Sequence, residues 1–123
     1  MAVPSGAMSA LAWNCQGLVN LCIVTQLQKV VLEEDPSLVF LIETKFEVDE
    51  MARIKRKLER QQGLDVPCIN WGGGLALLWK SSLKVDVQNY SPYHIDAVIT
   101  EVEGLLQCRF TGFYGEREIG KRL

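Results

Sequence analysis

Apolar residues in this chain fall in short runs that stop at a polar residue, and that punctuation defines the elements. From Met8 to Trp13 an apolar run ends in Asn14-Cys15-Gln16-Gly17, a short buried strand entering a turn. Asn20 is placed to cap a helix carrying Val24, Leu27 and Val31 at helical spacing, with Gln26, Gln28 and Lys29 turned outward. Asp35-Pro36 stops it, because proline pushes the residue before it out of the helical region. Ser37 to Ile42 reads as a nearly continuous apolar strand ending at Glu43. Asp49 then caps a second helix with Met51, Ile54 and Leu58 on one face and Arg53, Lys55, Arg56, Lys57 and Arg60 over much of the rest. Gly63 to Trp71 reads as a loop. Leu75 to Trp79 is a strand with no polar position, followed by a turn at Ser81-Ser82. Val85 and Val87 alternate with Lys84, Asp86 and Gln88, a similar strand runs through Ile95, Ala97 and Ile99, and the last covers Leu106 to Tyr114.

The order is therefore β-α-β-α followed by four strands, at least three of them in hairpins: a mixed sheet with both helices on one face. The unbroken runs at 8–13, 37–42 and 75–79 predict a sheet buried on both faces. Two helices cover only one of them. With 123 residues there is room for one domain, 8–123, behind a loose leader of small residues, 1–7. Charged residues make up 23% and apolar residues 48%, an ordinary globular balance, and the net charge of −2 provides no global positive field to attract nucleic acid. Any such binding needs a local patch or a bound divalent metal. Cys15, Cys22, Cys68 and Cys108 form no CxxC pair and the single His94 lies far from them, which argues against zinc. Cys15 and Cys108 read as small core residues. With no signal peptide and no stretch long enough to span a bilayer, an intracellular setting, nuclear or cytoplasmic, with reduced thiols is expected.

Three residues carry candidate chemistry. Glu43, at the carboxyl end of a buried strand, is a natural hard-cation ligand, or else a solvent-facing glutamate paired with Lys45. Asn14 can orient a carboxylate or a phosphate oxygen, or serve as a turn residue. Tyr114 ends the last strand, either donating its phenol to an oxygen that gains charge or packing its ring in the core with the hydroxyl wet. Gly72-Gly73-Gly74 lacks the lysine and following helix of a P-loop and reads as a glycine-permitted turn into a strand. Lys55-Arg56-Lys57 reads as a solvated helix face.

Trp13-Asn14, Leu41-Ile42-Glu43-Thr44-Lys45, Gly73-Gly74-Leu75-Ala76-Leu77-Leu78-Trp79 and Thr111-Gly112-Phe113-Tyr114-Gly115, in this order, resemble the endonuclease/exonuclease/phosphatase superfamily. The set looks closest to the endonuclease domain of plant LINE-type (non-LTR) retroelements. The resemblance spans about residues 8 to 119 and implies half of a deoxyribonuclease-I-like four-layer α/β sandwich. It also implies a hydrolase, a nuclease that cleaves DNA with Mg2+ or Mn2+. By the same resemblance Glu43 and Asn14 hold or organise the metal, and Tyr114 contacts the scissile phosphate. Gln16 stands where plant members usually carry arginine, and His94 does not match the family's catalytic histidine.

The family's Asp-x-Asn pair, a further aspartate and the terminal aspartate-histidine pair would lie beyond the last residue of this chain. The expectation is a catalytic remnant, inactive alone because such groups act as a unit. The alternative is a non-catalytic truncated retroelement-derived fragment or interaction module. In a complete domain the second sheet face would pack on a second sheet supplied mostly by the absent half, so here that face is expected to be uncovered and open to self-association.

Overall fold

The computed structural model describes residues 9–15, 21–44, 48–69, 72–101 and 107–114. Along these the order is β1 (Ala10–Asn14), α1 (Leu21–Glu34), β2 (Leu38–Ile42), α2 (Val48–Lys57), β3 (Gln62–Ile69), β4 (Gly72–Trp79), β5 (Leu83–Ser91), β6 (His94–Glu101) and β7 (Gln107–Phe113). The expected leader lies outside the described residues, as do Asn20, Gln16 and Lys45.

Two sheets form. The first has the order β1-β2-β4-β3, with β1 and β2 parallel across the α1 crossover and the other pairs antiparallel. The second is an antiparallel meander, β5-β6-β7. Strand pleat divides the apolar runs between two cores. Val39, Leu41, Ala76 and Leu78 point toward the helices and meet Leu27, Val31, Met51, Ile54 and Leu58. Leu38, Phe40, Leu75 and Leu77 point the other way and meet Leu83, Ile95, Ala97 and Ile99 of the second sheet. This is the α/β architecture with two helices on one face of a mixed sheet.

The second face is therefore covered by this chain itself, which corrects the expectation of an exposed face: Leu75 is 1% exposed and Leu77 0%. The pattern of alternating valines and isoleucines in β5 and β6 supplies the cover. Two-sided burial also holds only for β2 and β4. β1 alternates, with Leu11 and Trp13 packed on the helix core while Ala10, Ala12 and Asn14 are exposed, because β1 is an edge strand.

The stretch read as a loop from Gly63 to Trp71 is mostly strand. β3 pairs with β4 from Gln62↔Trp79 to Ile69↔Gly72. Gly63 and Pro67 look like breakers, but an edge strand accepts a proline whose missing N–H faces away from the ladder. Gly72–Gly74 accordingly lie within β4 rather than in a turn before it. Helix α2 starts at Val48, so Asp49 falls in its first turn rather than at the cap.

Two further expectations are corrected. Cys108 is exposed even though it shares the face of its ladder partner Ile99, at the start of β7. Arg60 is not on a solvated face but 4% exposed. Its Nη1 donates to the carbonyls of Leu58 (3.0 Å) and Glu59 (3.2 Å), and its Nη2 donates to Pro36 O (2.6 Å) and Asp35 Oδ1 (3.0 Å). Lys80 Nζ reaches the other Asp35 oxygen at 2.7 Å. That hydrogen bond, with Arg60 behind it, holds the Asp35 carboxyl below its usual range. Asp35 also ends α1 in the left-handed region, at φ 49°, with its N–H on Val31 O. The helix thus stops at Asp35-Pro36 as expected, the residue before the proline leaving the helical region through a left-handed cap.

Candidate functional site

β1 and β2 run parallel and in register, so their carboxyl ends coincide: Asn14 stands beside Ile42. The ladder continues one step further, with Cys15 N–H on Ile42 O at 2.8 Å. On the other side Thr44 N–H bonds Gly74 O at 3.1 Å. Glu43 lies between these two anchors with φ 54°, a conformation that non-glycine residues rarely adopt. The kink turns its half-buried carboxylate toward β1, and Asn14 Nδ2 donates to Glu43 Oε2 at 3.5 Å, a long contact. Two residues 29 positions apart are thereby brought together.

Cys15, fully buried beside this pair, has its thiol pushed up to about 12, first by burial and then by the negative charge of Glu43. It stays protonated near neutral pH and is no nucleophile.

Tyr114 approaches from the second sheet. The turn at Lys80–Ser82, closed by Leu83 N–H on Lys80 O (3.0 Å), joins the sheets beside the Leu38↔Trp79 end. β5 then runs nine residues away from that turn, so Ser91 and His94 lie at the opposite end, the end of Ile42 and Glu43. Phe113 pairs with His94, and Tyr114 N–H bonds Tyr93 O at 2.8 Å. The Tyr114 ring packs against the core between the sheets, to which Ile42 also belongs. All three candidate residues thus occupy one end of the sandwich.

His94 sits at the β5–β6 turn, with Nδ1 2.6 Å from Ser91 Oγ and its ring stacked on Phe113. Of the basic run, Lys55 faces Asp65 at 3.6 Å while Arg56 and Lys57 are exposed. Thr44 (6% exposed), Tyr93 and Phe113 also belong to this end, and sequence reading did not single them out. The Ser91-Pro92 turn signal beside two tyrosines was the available cue.

Among the described residues no group of three or more His, Cys, Asp or Glu side chains is placed to hold a metal ion. Glu43 and the amide oxygen of Asn14 are hard donors, and magnesium takes one or two carboxylates with water completing its shell, so the pair fits one side of such a site. No helix among the described residues is long and apolar enough to cross a membrane.

Two helices on a mixed sheet, with a second sheet behind it and polar residues at the strand ends, are an arrangement shared with proteins of the DNase I-like fold. Solved structures of that fold match this chain. The AP endonuclease LMAP from Leishmania major superposes with a TM-score of 0.64 at 18% identity, over 92% of this chain and 41% of that one. A humanized D. rerio TDP2 gives 0.58 at 16% identity, over 90% and 52%. D. rerio TDP2 complexed with a single-strand DNA product gives 0.57 at 14% identity, over 93% and 49%. The chain thus spans about half the length of these neighbours or less. No protein-family model matches it, and no curated protein matches it.

Proposed function

We propose that Asn14 and Glu43 form one side of a divalent-metal site for hydrolysis of a nucleic-acid phosphodiester. The single observation that carries this is the meeting of the Asn14 amide and the Glu43 carboxylate at the joint carboxyl end of β1 and β2. That is where open α/β sheets place ligands. Glu43 is the residue that would hold Mg2+ or Mn2+. Asn14 fixes the carboxylate through Nδ2 and presents its own carbonyl oxygen. A cation bound there would polarise a phosphoryl oxygen and lower the pKa of attached water. The Tyr114 phenol is assigned a hydrogen bond to a non-bridging oxygen as charge builds on it.

The fold neighbours, an AP endonuclease and a TDP2 holding single-strand DNA, support DNA as the substrate class. The motifs Leu41–Lys45 and Thr111–Gly115 support the finer reading, an endonuclease domain of the plant LINE type of which these residues form the first half. In that reading the general base and further metal ligands come from residues other than those of this chain. His94 is engaged with Ser91 and is given no part in catalysis. Loss of a general base alone costs about 10²- to 10⁴-fold. Any self-association is assigned to the strands that form sheet edges among the described residues, β1 and β3 of the first sheet and β5 and β7 of the second, since both faces of the first sheet are covered.

Manganese titration of the purified 123-residue protein by calorimetry tests the site. One binding event is expected, lost in Glu43→Ala and weakened in Asn14→Ala, with no measurable nicking of supercoiled plasmid. Manganese binding indifferent to Glu43→Ala would overturn the metal site. Nicking abolished by Glu43→Ala would overturn the half-site reading.

A further inference from the structure

We infer that the β5–β6 turn and the end of β7 form a stacking platform for unpaired nucleobases, beside the Asn14–Glu43 pair. This rests on the reading above and names the form of the substrate: single-stranded or locally opened nucleic acid rather than intact duplex.

Among the described residues four large apolar side chains are exposed: Leu32, Tyr90, Tyr93 and Phe113. Leu32 lies apart, on α1. The other three are all aromatic and gather at one end of the second sheet. Tyr93 lies in the two-residue turn between Ser91 and His94, Phe113 pairs with His94 on the outer face, and Tyr90 pairs with Ile95 on the other face of the sheet and is no part of the platform. Tyr93 is 46% exposed and Phe113 55%. The His94 ring lies over Phe113 with centroids 5.9 Å apart and planes 25° apart, a parallel stack that extends the flat surface. Its orientation is fixed. Ser91 Oγ accepts the Tyr93 N–H at 3.0 Å and contacts His94 Nδ1 at 2.6 Å, so one hydroxyl locks both the turn and the imidazole.

Placement gives the platform its use. It lies at the end of the sandwich where β2 delivers Glu43, and it is bonded to the Tyr114 segment through Tyr93 O. A strand whose phosphate sits at Glu43 would carry its neighbouring bases toward these rings.

Placement favours bases over a protein partner. Aromatic rings serve protein interfaces too, but these rings lie at the end of the sandwich that carries Glu43, where the strand of the proposed substrate would run. Stacking is open to every base through its π-face, and pairing in a duplex hides that face. The outer face of β6 and β7 supplies little phosphate attraction, because Arg109 is engaged by Asp96 through both Nε (2.9 Å) and Nη2. Binding at the platform should therefore depend on the rings and only weakly on salt.

The test is fluorescence anisotropy of a labelled 12-nucleotide single strand of mixed sequence, and of a blunt hairpin duplex, with the 123-residue protein. Each is run in EDTA and in manganese. The single strand is expected to bind more tightly than the duplex. Tyr93→Ala combined with Phe113→Ala should weaken it about tenfold or more, stacking being worth roughly that per base. Tyr93→Trp with Phe113→Trp should restore it. Both positions are exposed, and a thermal melt verifies that each variant folds. The platform is overturned by equal binding of the alanine pair and the parent, by equal or tighter binding of duplex, or by no binding of the single strand. It is also overturned if leucine at both positions binds as tightly as the parent, which would mark a general apolar contact. The two readings separate cleanly. Loss in the aromatic variants in EDTA reports the platform, whereas a manganese-dependent gain lost only in Glu43→Ala reports the metal site.

Discussion

At the residue scale, Glu43 combines two local costs. Its carboxylate is half-buried at a strand end, and its backbone stands at φ 54°. For an L-residue the left-handed region costs roughly 1–2 kcal/mol, which glycine avoids. Removing the carboxylate is common to Glu43→Ala and Glu43→Gly, so comparing them isolates the backbone. Glu43→Gly is expected to be the more stable, by about 1 kcal/mol in urea melts; equal midpoints would mean the kink stores no strain. Glu43 and Asn14 were legible in the sequence because each interrupts an apolar run, and strand ends are where such interruptions meet. The kink was not legible, since nothing in Leu41-Ile42-Glu43-Thr44 departs from ordinary strand chemistry. Arg60 was misread for a related reason. An arginine just past an amphipathic helix looks solvated, and only the three carbonyls and one carboxylate converging on it make burial tolerable.

At the element scale, the helices and the central strands followed their patterns, while the edges did not. β2 and β4 were legible because burial on both faces removes every polar position. β3 was hidden by Gly63 and Pro67, residues that an edge can accommodate. Contact between the sheets depends on one small residue that the pattern did not flag. A Cβ at Gly112 would lie 2.8 Å from Cε2 and Cζ of Phe40 and 2.9 Å from Cζ of Phe110. Those two rings pack edge to face with centroids 5.5 Å apart. The rings hold each other, so neither can give way freely. Gly112→Ala is expected to destabilise the fold by about 1–3 kcal/mol through overpacking. A chemical-denaturation midpoint unchanged from the parent would show that Phe40 has room to move.

At the scale of the whole molecule, the sequence revealed four strands after the second helix but not their division between two sheets. Hydrophobic periodicity records which side of a strand is buried and is silent on what buries it. The turn at Lys80–Ser82, read simply as a turn, is where the chain leaves one sheet for the other. That division also sets how far along the chain each pairing must reach. The meander β5-β6-β7 joins only neighbours in sequence, whereas β1 must find β2 across a helix and β2 must find β4 across α2 and β3. Short loops close at less entropic cost than long ones, and local pairings accelerate folding. The meander is therefore expected to be ordered at the rate-limiting barrier, ahead of the strands that assemble the Asn14–Glu43 pair. Ile99→Val, in β6, should slow refolding by most of its effect on stability, whereas Val39→Ala, in β2, should act mainly by speeding unfolding. Stopped-flow chevrons of the two variants measure this, and the opposite ranking would mean that the mixed sheet nucleates first. On this order of events the molecule builds its aromatic platform before the carboxylate pair beside it, so the residues assigned to chemistry are among the last to find one another.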